Sequence, residues 1–586
     1  MSSDRLTGGE IILKALNDQD VDVVFGYPGG VTLPLYDNIY QQNKLHHILV
    51  GHEQGGVHAA EGYARSTGKP GVVLATSGPG ATNTVTGLVD ALMDSIPIVC
   101  ITGQVISELI GNDAFQEADT SGITRPATKH NYLVKSTDDL ARVLHEAFFV
   151  ATHGRPGPVL VDIPKDVILG TGSYLTPDQV EPRNYKPRDK GDQSAIEQAV
   201  DLLASAKKPI IYAGGGVINS GPEASKLLGE IVKLTGYPCT LTLMGLGAFP
   251  ASDNQYIGMP GMHGTYEANL AMHGCDVMIN IGARFDDRVT GRLDSFSPLS
   301  QKIHIDIDPS SINKNVAVDI GIVGDAGSIL QDIIGLWKKK KPTVDQKALK
   351  SWWTTIEEWR NIECLGFTQE DDDPIKPQHA LDRLYEIIKD TDVYVTTDVG
   401  QHQMWAAQYI RFDEPNRWMT SGGLGTMGYG IPAAMGAQVA HPDSSVICVT
   451  SEGSMMMNVQ EMLTIARNRL PVKILNLNNK VLGMIRQWQE LFHGNNESQC
   501  DLSNGPDFIK LAESMGFTAL SCDKPENVEA TIKEMLATEG PVFVNMATDR
   551  FQNVFPMIPA GAAHNEIVLG PEQRMKVADD SDNVMA

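Results

Sequence analysis

The stretch ICVTSEGS, residues 447–454, runs from an apolar segment straight into a turn of small and polar residues. The stretch VLATSGPG, residues 73–80, has the same form, and the same number of residues separates its threonine from the proline that opens the next apolar segment. A buried strand that ends in such a turn and opens a helix aims backbone N–H groups at an anion. The two ends of the chain therefore look like copies of one unit, although tight turns alone would also explain the small residues.

Short β-branched runs alternate with helix-length segments along the whole chain, which is typical of parallel sheets covered by helices on both faces. The predicted strands are 21–25, 71–75, 98–102, 159–162, 209–213, 277–281, 302–307, 393–397, 446–450, 472–477 and 541–546. Composition shifts near 175–192 and 338–373. The sequence thus predicts an α/β fold of three doubly wound parallel-sheet domains, at 1–175, 190–340 and 375–560, with a C-terminal tail at 561–586.

Composition excludes several classes of protein. The 586 residues exceed what one core organises, and the net charge of −25 would repel nucleic acid or an anionic membrane. No apolar run approaches the roughly 20 residues that span a bilayer. The seven cysteines have no CxxC spacing, and no leader peptide is recognisable. We therefore expect a cytoplasmic protein that binds neither nucleic acid nor membrane.

Polar side chains follow several predicted strands of the C-terminal unit. Glu452 lies in the turn after one strand, Asn479 ends the next, and Asp398 to His402 follow a third. A carboxylate and an amide oxygen over a helix N-terminus are suitable ligands for Mg²⁺ that also binds a diphosphate. A capping carboxylate and a turn-forming asparagine pair are the alternative.

Several further motifs accompany these turns. The N-terminal unit contains FGYPGG (25–30), HEQ (52–54), TSGPGATN (76–83) and FQE (115–117), and the rest of the chain contains GMPGMHG (258–264), RFDDR (284–288) and GMIRQW (483–488). The stretch from the acidic-Gly-Ser turn to Asn-Asn, 452–479, is similar to the signature that binds thiamin diphosphate, and the first four motifs are similar to those of the pyrimidine-binding domain of the same enzymes. With the last three motifs, the chain resembles the acetohydroxyacid synthase family of thiamin diphosphate enzymes over nearly its whole length.

The resemblance implies that thiamin diphosphate contacts both outer domains. Glu53 matches the residue that hydrogen-bonds N1′ of the aminopyrimidine, and Met427 matches the residue that bends the cofactor, although such a methionine is often a core filler. The other implied contacts are Gly30, Pro79, Asn83, Gln401, His402, Gly425, Gly453, Ser454 and Met484. Glu452, Asn479 and the carbonyl of Val481 would hold Mg²⁺. The family usually has Gly-Asp where this chain has Ser451-Glu452, so the metal site departs from the pattern.

The implied reaction is decarboxylation of pyruvate and transfer of the two-carbon unit to a second 2-oxoacid. Pyruvate as acceptor gives 2-acetolactate and 2-oxobutyrate gives 2-aceto-2-hydroxybutyrate, the first common step towards valine, leucine and isoleucine. Arg288 would bind the acceptor carboxylate, Trp488 would favour the larger acceptor, and Phe115 and Gln116 would line the same pocket. By themselves these residues would be read as a surface ion pair and core aromatics.

The resemblance also implies a central Rossmann-like domain that binds FAD as a structural cofactor. The family places it near Arg155, Gly215, Gly216, His263, Arg284, Asp306 and Asp325, and Lys165 matches a residue near FAD and the substrate channel. A homodimer or tetramer with active sites between chains is expected, together with a separate small regulatory subunit. The open alternatives are a catalytically silent homologue and another carboligase or decarboxylase, such as an FAD-free acetolactate synthase or a pyruvate oxidase.

Overall fold

The structure, a computed structural model, describes residues 5–180 and 185–570. It contains three parallel sheets, one in each predicted domain, with helices on both faces. Within these described ranges no helix is both long and apolar enough to cross a lipid bilayer. Residues 571–586 of the predicted tail lie outside the described residues.

The N-terminal sheet has the strand order β3-β2-β4-β5-β7-β6, and a short antiparallel pair, β1 with β8, closes the domain. Its strands are β1 Leu6–Thr7, β2 Val23–Gly26, β3 His46–Leu49, β4 Gly71–Ala75, β5 Ile98–Gln104, β6 His130–Leu133, β7 Val159–Pro164 and β8 Thr171–Gly172. Its α-helices are α1 Gly8–Asp18, α2 Leu33–Tyr40, α3 Glu53–Thr67, α4 Pro79–Thr82, α5 Val85–Asp94, α6 Thr120–Thr124, α7 Thr137–Thr152 and α8 Lys165–Leu169.

The central sheet has the order β10-β9-β11-β12-β13. Its strands are β9 Pro209–Ala213, β10 Cys239–Leu241, β11 Val277–Ile281, β12 Gln301–Asp306 and β13 Ile320–Val323. Its α-helices are α9 Gln193–Ser205, α10 Gly215–Asn219, α11 Pro222–Thr235, α12 Tyr266–Gly274, α13 Asp287–Thr290, α14 Ala326–Lys340 and α15 Gln346–Arg360. Tryptophans of α15 donate hydrogen bonds to the backbone carbonyls of Pro209 and Gly236, so this helix packs on the central domain.

The C-terminal sheet has the order β15-β14-β16-β17-β19-β18. Its strands are β14 Val393–Thr397, β15 Trp418–Met419, β16 Ser445–Thr450, β17 Lys473–Asn478, β18 Thr518–Cys522 and β19 Val542–Ala547. Its α-helices are α16 Pro377–Ile388, α17 Gln401–Tyr409, α18 Gly430–Ala440, α19 Glu452–Met455, α20 Gln460–Arg467, α21 Gly483–Phe492, α22 Phe508–Ser514 and α23 Val528–Ala537. Short 3₁₀ turns are Ser107–Leu109, Arg125–Ala127, Pro177–Gln179, Leu243–Gly245, Leu293–Ser295, Pro525–Asn527 and His564–Glu566.

The two outer sheets have the same topology. Counted from the first strand of each six-stranded sheet, both follow the order 2-1-3-4-6-5, and the third strand of each, β4 or β16, leads into one of the two matching turns. The α/β fold and the internal duplication predicted from the sequence are therefore confirmed. The exact domain boundaries remain a prediction, although the strands of each sheet fall inside them.

Helices α3 and α18 join the outer domains and pack so closely that the backbone of one contacts the backbone of the other. A Cβ added at Gly62 would lie 2.1 Å from the carbonyl oxygen of Ala433, and one at Gly436 would lie 1.8 Å from that of Ala59. Only glycine fits such an approach. The two domains of one chain are consequently held face to face along these helices.

Candidate active site

The turn after β16 forms the first wall of the site. Ser451 is the N-cap of α19, and the Ser454 side chain in that helix is fully buried, with no hydrogen-bond partner for its Oγ in the described chain. A Cβ at Gly453 would lie 2.9 Å from Leu482 and 3.4 Å from Cε of Met427, so a larger residue would crowd the turn. The turn thus presents backbone N–H groups and an unused hydroxyl.

Gln401 and His402 form the second wall, at the start of α17 after β14. Gln401 Nε2 donates to Gln487 Oε1 at 2.9 Å and to the carbonyl of Gln552 at 3.0 Å, which directs its Oε1 away from them. Burial lowers the pKa of His402 to about 3, so the imidazole is neutral. Gln401 Oε1 and His402 Nε2 are buried and have no partner in the described residues, although such atoms are normally hydrogen-bonded.

Glu452, Asn479 and Val481 meet between these walls. The Val481 N–H donates to Glu452 Oε1 at 2.9 Å and to Asn479 Oδ1 at 3.2 Å. Glu452 Oε2 is buried with no partner in the described chain, and burial raises the pKa of this carboxyl to about 7. A hard cation at Oε2 would offset the cost of burying the charge, and carboxylate, amide and carbonyl oxygens are its preferred ligands. These residues therefore fit a Mg²⁺ ion.

The loop that carries Gly425 and Met427 covers the cradle. Gly425 and Gly428 adopt left-handed backbone conformations, with φ of 79° and 88°. Asn458 Nδ2 donates to the carbonyl of Gly428 at 2.8 Å, and Ser421 Oγ accepts from the Gly425 N–H at 3.0 Å. The loop is therefore fixed at both ends, with Met427 between them.

The residues predicted for FAD gather at the carboxyl ends of the central sheet. A Cβ at Gly216 would lie 2.7 Å from Cα of Gly282, so this glycine allows the start of α10 to pack against the end of β11. Asp325 caps α14 by accepting from the Ser328 N–H at 2.9 Å, and Arg155 pairs with Asp308 at 3.3 Å. Asp325 thus has a structural role whether or not it also contacts a ligand.

One cavity of about 2080 Å³ is lined by the central and C-terminal domains and, around Ser95 and Arg155, by the N-terminal domain. It brings together most of the predicted site residues: Arg155, Gly215, Gly216, His263, Arg284, Arg288, Asp306, Asp325, Gln401, His402, Gly425, Met427, Ser454, Asn479, Val481, Met484 and Trp488. Such a volume exceeds the usual range of about 300–1,000 Å³ for a pocket that holds one ligand. The cavity is therefore large enough for more than one ligand.

The predicted pyrimidine-binding residues lie elsewhere. Glu53 opens α3 and is almost buried, and Asn83 Nδ2 donates to its Oε2 at 2.9 Å. Phe115 is 88% exposed, and Gln116 adopts a left-handed backbone, with φ of 59°, beside Gly78. Gly30 and Pro79, also predicted to contact thiamin diphosphate, are exposed. Lys165, which was predicted to lie near FAD and the substrate channel, is half-buried at the start of α8. None of them lines the cavity.

Two functional candidates were missed by the sequence analysis. Gln487 orients Gln401 and also accepts from the Val554 N–H at 2.8 Å. It lies in the GMIRQW motif, which was a usable signal. Glu461 of α20 accepts from the backbone N–H groups of Gly51 and His52, immediately before Glu53. No local pattern marks Glu461, because its partners are distant in sequence.

Comparisons with known proteins agree with this geometry. Residues 6–123 match the thiamine pyrophosphate enzyme N-terminal TPP binding domain, residues 196–333 the central domain and residues 398–546 the C-terminal TPP binding domain. The acetolactate synthase large subunit of Haemophilus influenzae is 47% identical over 572 residues, which cover 97% of this chain and 99% of that protein.

Two further relatives match to the same extent. The acetolactate synthase isozyme 3 large subunit of Escherichia coli is 46% identical over 576 residues, 97% of this chain and 100% of that protein. The acetolactate synthase of Mycobacterium bovis is 48% identical over 569 residues, 96% of this chain and 91% of that protein. The chain therefore belongs to the acetolactate synthase large-subunit family of thiamine pyrophosphate (thiamin diphosphate)-dependent enzymes.

Proposed function

We propose that this chain decarboxylates pyruvate and joins the two-carbon unit to pyruvate or 2-oxobutyrate, using thiamin diphosphate, Mg²⁺ and FAD. The observation that carries the proposal is a set of four buried polar atoms with no partner in the described chain: Gln401 Oε1, His402 Nε2, Glu452 Oε2 and Ser454 Oγ. All four lie at the carboxyl ends of β14 and β16, where ligands of doubly wound sheets bind. A diphosphate and its metal ion would satisfy them together.

The metal ion would be held by Glu452 Oε2, Asn479 Oδ1 and the Val481 carbonyl. Glu452 is one methylene longer than the aspartate usual in the family, so we expect looser Mg²⁺ binding than an aspartate would give. Metal content of the purified chain, compared with Glu452→Asp and Glu452→Ala, tests this assignment. Retention of metal in Glu452→Ala would rule out Glu452 as a ligand.

Thiamin diphosphate, when bound, supplies the electron sink for decarboxylating a 2-oxoacid. Glu53 would hold a proton against the pyrimidine nitrogen at Oε1, since Asn83 already occupies Oε2. A Cβ at Gly80 would lie 3.2 Å from Glu53 Oε1, so this glycine keeps the oxygen accessible. Met427 would support the bent cofactor from the cavity side.

Arg288 and Trp488 would select the acceptor. The Arg288 side chain is 66% exposed, and its ion pair with Asp287 is long, at 3.7 Å, so little is lost when the guanidinium turns to a substrate carboxylate. Trp488 lies in the same cavity and packs its ring 5.0 Å from that of Phe492, which presents an apolar surface to the extra methyl of 2-oxobutyrate. This acceptor pocket would be completed by Phe115, Gln116 and Lys165, which lie with Glu53 outside the cavity.

FAD would occupy the central-domain end of the cavity. Burial lowers the pKa of His263 to about 4, so its imidazole is neutral, while Arg284 and Arg155 supply positive charge for a diphosphate. Yellow flavin absorbance that survives gel filtration would support this placement, and a colourless active enzyme would favour the FAD-free alternative.

A homodimer would unite the two separate groups of site residues. Glu53, Asn83 and Gln116 would come from one chain and the cavity from its partner, because no cavity-lining residue belongs to the Glu53 group. A separate small subunit is also proposed, since two of the relatives are named large subunits. The seven free cysteines, all within the described ranges, are consistent with a reducing, cytoplasmic location.

Purified chain should convert pyruvate to acetolactate only when thiamin diphosphate, Mg²⁺ and FAD are all present, and added 2-oxobutyrate should be the preferred acceptor. Mixing inactive Glu53→Gln with inactive Asn479→Ala tests the shared site. Random re-pairing makes about half the dimers mixed, each with one intact site of two, so about a quarter of wild-type activity should return. No recovery after confirmed re-pairing would place both residues in one chain's site. Bound cofactors without turnover would indicate a silent homologue.

A further inference from the structure

Helices α3 and α5 bury a pair of carboxyl groups against the loop that carries Met427. Glu61 and Asp90 are both 0% exposed. Each has one oxygen, Glu61 Oε2 and Asp90 Oδ2, with no hydrogen-bond partner in the described residues. Ligand atoms of this pair and of His58 lie within 4.8 Å of one another. Two negatively charged carboxylates this close together and shielded from solvent are strongly unfavourable.

The other oxygen of each carboxyl group is fully used. His58 Nδ1 lies 2.9 Å from Glu61 Oε1, at hydrogen-bonding distance. Asp90 Oδ1 accepts from the hydroxyls of Ser421 and Thr426, the latter at 2.8 Å. Because ligand atoms of the two carboxyl groups lie within 4.8 Å of each other, the two unpartnered oxygens are the ones available for a hydrogen between the groups, which would satisfy both.

The surrounding charges do not neutralise the pair. Arg65 on α3 is the facing cation, but its Nη2 lies 2.6 Å from Asp94 on α5 and 3.8 Å from Glu61. Burial lowers the pKa of His58 to about 4, so that ring adds no charge. Tyr429, from the segment before α18, packs its ring against Arg65 and His58. One guanidinium thus faces three carboxyl groups.

The same cluster of carboxyl groups holds the loop from Ser421 to Met427 in place. Asp94 accepts from the N–H groups of Gly422 and Gly423 at 2.9 and 2.7 Å. Ser421, held by Asp90, accepts from the N–H groups of Gly425 and Thr426 at 3.0 and 2.8 Å. A change at Asp90 would therefore be transmitted to Gly425 and Thr426, the residues that immediately precede Met427.

We propose that Glu61 and Asp90 share one buried proton, and that the resulting acid–carboxylate pair positions the loop from Ser421 to Met427 for the cofactor. The claim that the pair positions the loop for the cofactor rests on the proposed function. The claim that the two carboxyl groups share a proton does not. Burial and the neighbouring Asp90 raise the pKa of Glu61 well above its ordinary value, in agreement with the geometry. Both residues are positioning residues, since neither lines the cavity.

The pair makes a distinctive prediction for amide substitutions. In Glu61→Gln the new N–H₂ can donate to Asp90 Oδ2, and in Asp90→Asn it can donate to Glu61 Oε2. Each single variant therefore keeps one bridging hydrogen and one negative charge, as the shared proton does. In the double variant two N–H₂ groups face each other, and turning either amide sacrifices the contacts to His58 or to Ser421 and Thr426.

The positioning of the loop from Ser421 to Met427 is tested by the Kd for thiamin diphosphate. We would measure it by calorimetric titration into the purified full-length protein with Mg²⁺ present. We expect Kd within about threefold of wild type for each single variant and about tenfold weaker for the double variant, a non-additive result. Glu223→Gln, which removes an exposed carboxylate, is the matched control. A tenfold loss in either single variant would overturn the proposal, even if the double variant did not fold.

Infrared difference spectra test the proton without any cofactor. Wild-type protein at neutral pH should show a protonated carboxyl stretch that both single variants lose and Glu223→Gln keeps. Persistence of every such band in the single variants would refute the shared proton. So would elemental analysis that found a bound metal ion lost in Glu61→Gln. Wild-type protein that shows the band but binds no thiamin diphosphate would refute the proposed function and leave the proton in place.

Discussion

Glu461 connects the C-terminal domain to the start of the helix that carries Glu53. Its carboxylate is fully buried. Oε1 accepts from the His52 N–H at 2.9 Å, Oε2 accepts from the Thr464 hydroxyl at 2.8 Å, and the two oxygens share the Gly51 N–H at 3.1 and 3.0 Å. Glu461→Ala should therefore leave two backbone donors at the N-terminus of α3 without their charged acceptor.

The stability that Glu461→Ala should lose follows from those two backbone donors. A hydrogen bond to a charged group contributes about 1.5–3 kcal/mol, so Glu461→Ala should cost about 3 kcal/mol in local stability. Glu461→Gln should cost only about 1 kcal/mol. Its oxygen can still accept from Gly51 and His52 and Thr464 can accept from the new N–H₂, so only the second branch of the Gly51 hydrogen bond is lost. The two variants thus separate loss of the contact from loss of the charge.

Hydrogen exchange followed by mass spectrometry reports the effect locally. Amides of the peptide that spans the end of β3 and the first turn of α3 should exchange about 100-fold faster in Glu461→Ala, since about 1.4 kcal/mol corresponds to tenfold. Glu461→Gln should stay close to wild type, and peptides of the central domain should not change in either variant. Equal acceleration in both variants, or none in Glu461→Ala, would refute the reasoning.

Three other outcomes are expected. Gly436→Ala places a Cβ 1.8 Å from the carbonyl of Ala59 and should lower stability by about 3 kcal/mol in urea unfolding, while Gly335→Ala, in open space on α14, should be neutral or stabilising. Burial raises the pKa of Asp162 to about 7. The stability that the protonated carboxyl contributes is therefore fully present below the pKa of the unfolded chain and is lost as pH rises through about 7. Denaturation at each pH should show Asp162→Asn gaining up to about 4 kcal/mol over wild type between about pH 4 and 8. Trp488→Leu should lower the ratio of acetohydroxybutyrate to acetolactate about tenfold in mixed-substrate assays, and an unchanged ratio would remove this residue from acceptor selection.

The sequence predicted the interior strands but not the edges of the sheets. Every strand foreseen has neighbours on both sides, and several, such as β4 and β11, are buried throughout. The unforeseen strands of the three parallel sheets, β3, β6, β10, β13, β15 and β18, are all edge strands. Edge strands are short or carry polar residues, as HHIL in β3 and HNYL in β6 do, so they lack the continuous apolar run that marks a buried strand.

The convergence of the candidate residues was predictable wherever they lie in turns at the ends of neighbouring strands. The residues after β14, β16 and β17 converge because parallel strands end at a common edge, which follows from topology alone. Contacts between domains were not predictable in this way. Glu461 and Gly51 are 410 residues apart in sequence, and Ser421 and Asp90 are 331 apart. Their meeting depends on how α3 packs on α18, which no local periodicity encodes.

That packing also bears on how the two groups of site residues could meet. Because α3 approaches α18 at backbone distance, at Gly62 and Gly436, and because Glu461 holds the start of α3, Glu53 cannot turn towards the cavity of its own chain unless these contacts break. Closure within one chain would therefore expose a tightly packed interface and a buried carboxylate. A second copy can present its own Glu53 at no such cost, since Phe115, Leu33 and Met457 are already 88%, 58% and 57% exposed on the outer domains. The features that fix the domains of one chain thus favour a site shared between two chains.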